Sequence, residues 1–184
     1  LTEEERLDRR YELQYVAEYS TRYHRRRATF LTNTDTIITL LTIAAGASAF
    51  TDLVSGSPGW LAKLGSATVT LLSLAQVILK LGPQGTAHGQ WLRQWNSLLT
   101  DIVISTNPDD EKILNWLTVK AKIEEECIGE LRALALDCED AASRVMRIPN
   151  RQHYFSGLQR LLIHFGTFQQ DFPLKPLEHI RKED

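Results

Sequence analysis

"HRRRATFLTNTDTIITLLTIAAGASAF", His24 to Phe50, passes from a knot of cations to an uncharged apolar run within about a dozen residues. The fold turns on whether that junction is the edge of a soluble helical core or the point where the chain enters a bilayer. Ile37 to Thr51 is fifteen residues without a formal charge, and Thr36 to Val54 is nineteen with Asp52 as the only one. As a helix the longer stretch rises ~28 Å against a hydrocarbon core of ~30 Å, just long enough to span it. Asn33, Thr34 and Asp35 are N-cap types, so a fresh helix is expected to begin there. "SGSPG" (Ser55 to Gly59) then reads as a tight turn, and Trp60 stands where an interfacial aromatic belongs. A second run, Leu64 to Leu79, gives sixteen uncharged residues between Lys63 and Lys80. Alone it is a short span that needs snorkelling lysines or a thinned bilayer. "GPQG" (Gly82 to Gly85) is expected to stop it.

Either run by itself fits a buried helix of a soluble all-α bundle. Together they weigh against that, because they are adjacent, are joined by a tight turn and both lack a polar face. Charge placement fits a hairpin: Arg22, Arg25, Arg26 and Arg27 precede the first run, Lys80 and Arg93 follow the second, and the turn side holds only Lys63. By the positive-inside rule both termini are then expected to be cytoplasmic.

Outside the hairpin the sequence reads as polar and helical. The 184 residues are 43% hydrophobic and 24% charged, with a net charge of -2, a pI near 6.2 and a mean hydropathy of -0.23. That balance argues against a protein that binds nucleic acid through bulk charge and leaves room for local basic patches. No charged, apolar and small-residue succession opens the chain, so a removable secretory signal is not expected. Thr2 to Phe30 reads as a helix with Tyr11, Tyr15, Tyr19 and Tyr23 every fourth residue, a packing face with phenols at its wet edge. Thr86 to Thr106 carries Trp91, Trp95, Leu98 and Ile102 at helical spacing. "NPDDE" predicts a helix start with Asn107 as cap and Pro108 at its first position, and that helix is expected to run to about Arg147. Cys127 and Cys138 would then lie ~16 Å apart on one helix, too far to pair, which suits a reducing compartment. "IPN" (Ile148 to Asn150) breaks the helix, and a shorter one follows through Leu158, Leu161, Leu162, Phe165 and Phe168. No segment alternates like a strand. The expected fold is all-α: an N-terminal cytoplasmic helix (1–33), a transmembrane two-helix hairpin (34–82) and a cytoplasmic helical region (83–184), the long helices forming an oligomeric bundle.

The hairpin carries no catalytic chemistry. Its polar residues are mostly hydroxyls: Thr39, Thr42, Gly46 and Ala49 form one small stripe, and Ser66, Thr70, Ser73 and Gln76 another. Small stripes let helices approach closely, or they line a watery pathway. Two helices per chain cannot enclose a channel, so the pathway reading obliges a homo-oligomer of cyclic or dihedral symmetry, such as a tetramer. The five histidines are scattered, no zinc spacing occurs, and neither a phosphate-binding loop nor a nucleophile elbow is present. Neither an enzyme nor a resident cofactor or metal is expected. The basic cluster around the later break, Arg144, Arg147, Arg151 and Arg160 with His153 and Tyr154, is the candidate ligand-sensing patch. Arginines there would hold phosphates and Tyr154 would stack a base; an ordinary solvated turn is the alternative. The cations Arg25, Arg26 and Arg27 read as topology determinants that meet lipid headgroups.

The layout "YHRRRATF", a short apolar hairpin, "HGQWLRQWNSLL" and a long helix bearing "EEECIGELRALALDCEDA" resembles the SLATT family over about Tyr23 to Ala142. These are small bacterial proteins with two transmembrane helices and a cytoplasmic helical extension, found beside nucleotide-signalling genes of anti-phage defence. The resemblance implies a homo-oligomeric pore or channel in the bacterial inner membrane, gated by a nucleotide or oligonucleotide second messenger from a partner nucleotidyltransferase. It supplies no catalytic residue and no ligand motif to carry over. A non-conducting membrane-anchored scaffold and a soluble helical interaction protein remain the other two readings.

Overall fold

A computed structural model describes residues 1–55, 59–127, 129–148, 153 and 155–165. Every regular element among them is a helix: α1 (Glu3–Ser55), α2 (Trp60–Leu79), α3 (Leu81–Ile104), α4 (Asp110–Glu126), α5 (Arg132–Val145) and α6 (Gly157–Leu162). The chain divides into two compact units, residues 27–88 and residues 1–26 with 89–184.

α1 starts on a capping box formed by Thr2 and Glu5. Thr2 Oγ1 accepts from the Glu5 N–H (3.2 Å), and the Thr2 N–H donates to Glu5 Oε2 (2.8 Å), so two otherwise unpaired donors are satisfied. The second start expected at Asn33 to Asp35 does not occur, and α1 runs on to Ser55. Asp35 supplies the reason. Its side chain accepts from the Gln76 amide on α2, so its polar group is used in a tertiary contact and does not cap a new helix.

The turn between α2 and α3 falls earlier than the Gly/Pro cluster suggests. Lys80 adopts the left-handed conformation (φ 47°, ψ 41°) and its N–H donates to the Gln76 carbonyl. Gly82, Pro83 and Gly85 then lie in the first turns of α3, where a proline loses no helical hydrogen bond. The two glycines serve close approach: a Cβ at Gly82 would lie 3.2 Å from Asp35 Oδ2, and one at Gly85 would lie 3.0 Å from Thr32 Oγ1.

The forty-residue helix expected from Pro108 to Arg147 is two helices. α4 begins two residues later than predicted, with Asp109 as the cap accepting from the Lys112 N–H (2.8 Å). It stops at Glu126, and Cys127 is extended. Glu124, Glu125 and Glu126 place three negative charges at the negative end of the helix dipole, which disfavours continuation. α1 takes over the exposed groups at this break: the Tyr23 hydroxyl accepts from the Leu131 N–H (2.9 Å), and the Tyr19 hydroxyl donates to the Glu130 carboxylate. The two cysteines therefore stand on different elements, Cys127 at the end of α4 and Cys138 in α5; both are free thiols.

The tyrosine stripe is a packing face. Tyr11 donates to the Met146 carbonyl (3.1 Å), Tyr15 donates to Glu139 (3.1 Å) and lies 3.2 Å from the Ser143 hydroxyl, and Tyr23 is buried against Ala133, Leu134 and Cys138. The order 11, 15, 23 against 146, 143, 131 makes this part of α1 antiparallel to α5. Arg10 donates to the Ile102 carbonyl (3.2 Å) at the end of α3, where helix carbonyls lack partners and a cation meets the dipole. Trp95, Ile102, Ile113 and Trp116 are also buried in this unit, each no more than 2% exposed.

Candidate functional site

Two helical stretches, Glu3–Thr51 and Ala62–Ile104, are long and apolar enough to cross a membrane. A core helix of a soluble protein passes the same test of length and composition while burying its apolar side chains. These do the opposite: in the most apolar 18 residues of the first stretch none is buried, and in those of the second 11% are. Among the described residues of 27–88, the large apolar side chains left outside are Ile37, Leu40, Leu41, Ile43, Phe50, Val54, Trp60, Leu64, Leu71, Leu74, Val77, Ile78 and Leu79, each 50–72% exposed. At about 2 kcal/mol per fully buried side chain, scaled by exposure, moving these thirteen out of water is worth on the order of 15 kcal/mol. That matches or exceeds the whole net stability of an ordinary domain, roughly 5–15 kcal/mol.

Inside the unit α1 and α2 lie antiparallel in a fixed register. A Cβ at Gly65 would lie 2.8 Å from the Ala49 Cβ and 3.0 Å from the Ala45 carbonyl oxygen; one at Gly46 would lie 3.9 Å from Val69. Farther along, Gln76 Nε2 donates to Thr39 Oγ1 (2.8 Å) and to Asp35 Oδ1 (3.3 Å). Pairs 49–65, 46–69, 39–76 and 32–85 follow one another, so residues 32 and 85 lie at the same end of the hairpin.

The two small stripes have different fates. On α1, Thr42, Gly46 and Ala49 are half-buried, and Thr39, though exposed, is held by Gln76. On α2 the contact with α1 is made through Gly65, Val69 and Gln76, which leaves Ser66 and Thr70 exposed on the adjoining flank, with Ser73 half-buried. Thr39, Thr42 and Thr70 donate to the carbonyl four residues back at 2.8–2.9 Å, and Ser66 does so to Ala62. A hydroxyl bonded in this way sits in lipid without an unpaired donor. Asp35 is the cross-hairpin polar contact that sequence reading passed over, having taken it for a helix cap. The signal that finds it is Gln76, the one amide in an uncharged run, which needs a polar partner across the hairpin.

The sensing patch does not form as one constellation among the described residues. Arg144, Arg147 and Arg160 are exposed, and none of them makes an ion pair with a described residue. Arg147 closes α5 in the left-handed conformation (φ 55°). His153 is committed elsewhere: its backbone N–H and its Nδ1 lie 2.6 and 2.7 Å from the two carboxylate oxygens of Asp140, which is buried on α5. Arg151 and Tyr154 lie outside the described residues. The start of α6 is closed by its own capping box: Ser156 Oγ accepts from the Gln159 N–H (3.3 Å) and Gln159 Oε1 from the Ser156 N–H (2.9 Å). An open groove of about 930 Å³ runs between α3 and α4, lined by Arg93, Asn96, Asp101, Trp116 and Lys122 among others, and by none of the sensing residues.

Comparison of the chain with protein-family models, with curated proteins and with solved structures finds no match.

Proposed function

We propose that this chain is an integral membrane protein whose residues 34–82 span a bilayer as a helical hairpin, and that several copies assemble into a pore. The observation that carries the membrane part is the apolar exterior that the described residues of α1 and α2 present between Ile37 and Leu79, with polar groups turned toward the partner helix or bonded to their own backbone. The register of the hairpin, which brings residues 32 and 85 together, supports both ends emerging on one side. The arginines before α1's apolar part make that side the cytoplasmic face of an inner membrane. Ser66 and Thr70 on the exposed flank of α2 are the groups available to line a pathway. The role in anti-phage defence and the gating by a nucleotide or oligonucleotide signal rest on the SLATT resemblance alone.

A second reading, a non-conducting anchor for a helical scaffold, is favoured by one observation: the α1 stripe is already occupied within the hairpin, and the hydroxyls of both stripes serve their own helices. Reconstitution separates the two. The full chain stays with membranes through high-salt and alkaline washes and needs detergent for extraction; release by salt ends the membrane reading. Proteoliposomes then leak ions under the first reading and stay tight under the second. In the conducting case Ser66→Lys or Thr70→Lys alters conductance, whereas Leu71→Lys on the lipid-facing side impairs insertion.

A further inference from the structure

Among the described side chains, Asp35 is the acid that α1 presents to α2 within the hairpin. It stands immediately before the apolar stretch, and its charge is poorly matched by its surroundings. Oδ1 receives a single hydrogen bond, from the neutral Gln76 amide at 3.3 Å. Oδ2 packs against Gly82, where a Cβ would come to 3.2 Å, and receives no hydrogen bond among the described residues. Asp35 forms no ion pair with any described Lys or Arg. The same Gln76 amide donates to Thr39, which fixes the three polar groups as one layer at the end of the hairpin where both helices enter the apolar zone.

A carboxylate at a bilayer boundary with one neutral donor is costly unless water or mobile cations complete its shell. In an assembly each copy contributes one such carboxylate at the same depth. A ring of acids at a pore mouth concentrates cations, excludes anions and sets the sign of the permeant ion. We propose that Asp35 is the cation-selecting group of the pore, seated at its cytoplasmic mouth and oriented by Gln76, and that the permeant ions are small cations. This rests on the pore reading and adds to it the class of ion carried.

The test is the reversal potential of full-length protein reconstituted in planar bilayers under a potassium chloride gradient. The wild-type chain is expected to reverse on the cation side. Asp35→Asn moves the reversal potential toward zero, Asp35→Lys moves it to the anion side, and Asp35→Glu keeps the cation preference, which separates charge from packing. Gln76→Leu keeps the charge but removes the group that orients it, so its reversal potential stays on the cation side and moves part-way toward zero; an unchanged value overturns the orienting role of Gln76. A conducting Asp35→Asn channel with unchanged selectivity overturns the proposal and leaves the pore intact. Bilayers that show no current with wild-type protein overturn the pore reading and this proposal with it.

Discussion

His88 shows how one side chain can set a pH limit on folding. It lies in α3 beyond the apolar hairpin and is 8% exposed. Burial, with the nearby charge of Arg27 adding to it, pushes its pKa down from the ordinary 6.5 to about 4. Between those two values the unfolded chain binds a proton that the folded chain refuses, so stability falls as pH falls through that window and is fully present above it. The melting temperature of detergent-solubilised protein should therefore drop between pH 7.5 and pH 5, and His88→Gln should remove most of that drop. An equal drop in the variant would assign the effect to other groups. The same physics bears on the thiols. Burial pushes the Cys138 thiol up to about 12 and, with Glu130 adding, the Cys127 thiol up to about 11, so both stay protonated and slow to alkylate near neutral pH. None of these values is legible in the sequence, since each depends on what the fold stacks around the group.

Individual helices divide into those the sequence specifies locally and those that tertiary contacts decide. Periodicity finds the buried face of α3, Trp91 through Ile102, because side chains four residues apart share a face whatever the partner. The ends of elements are less legible. Asn33 to Asp35 have every property of a cap, yet Asp35 is claimed by Gln76 and α1 continues through them. Conversely, nothing in the apolar pattern breaks the segment after Asp109, but the Glu124 to Glu126 charge run does, and Tyr19 and Tyr23 stabilise the break from α1. The two stripes on the hairpin were legible as stripes. Which of them faces inward was not, because that follows from the register that Gly65 permits. The helices touch there at backbone distance, and neither the Ala45 carbonyl nor the Ala49 Cβ can swing aside. Gly65→Ala should thus force α1 and α2 apart and cost ~1–3 kcal/mol, read as a lower unfolding temperature in detergent. Gly46→Ala, whose new methyl meets Val69 at 3.9 Å, should be neutral or slightly stabilising. Equal effects at the two positions would disprove the register.

At the scale of the molecule, the all-helical fold and the two apolar runs follow from hydropathy, whereas the split sensing patch does not, since His153 is taken by the buried Asp140 of α5, a pairing that no periodicity or spacing announces. The membrane reading makes a topological demand that the described geometry states sharply. Residues 32 and 85 meet at one end of the hairpin and Gly59 lies in the turn at the other, so a bilayer must separate Gly59 from both. Single cysteines can be added to the chain, with their labelling read against that of the unaltered chain, whose Cys138 is buried and whose Cys127 is half-buried. Asn33→Cys, Gln84→Cys and Gly59→Cys all change exposed positions. In sealed vesicles a membrane-impermeant maleimide applied from outside should label Asn33→Cys and Gln84→Cys together and spare Gly59→Cys, or the reverse for vesicles of opposite orientation. Permeabilisation should then equalise all three. Labelling of all three positions from one side in intact vesicles would mean that the hairpin lies on the membrane without crossing it. The exposed apolar belt would then be an interfacial surface with no route for ions through it.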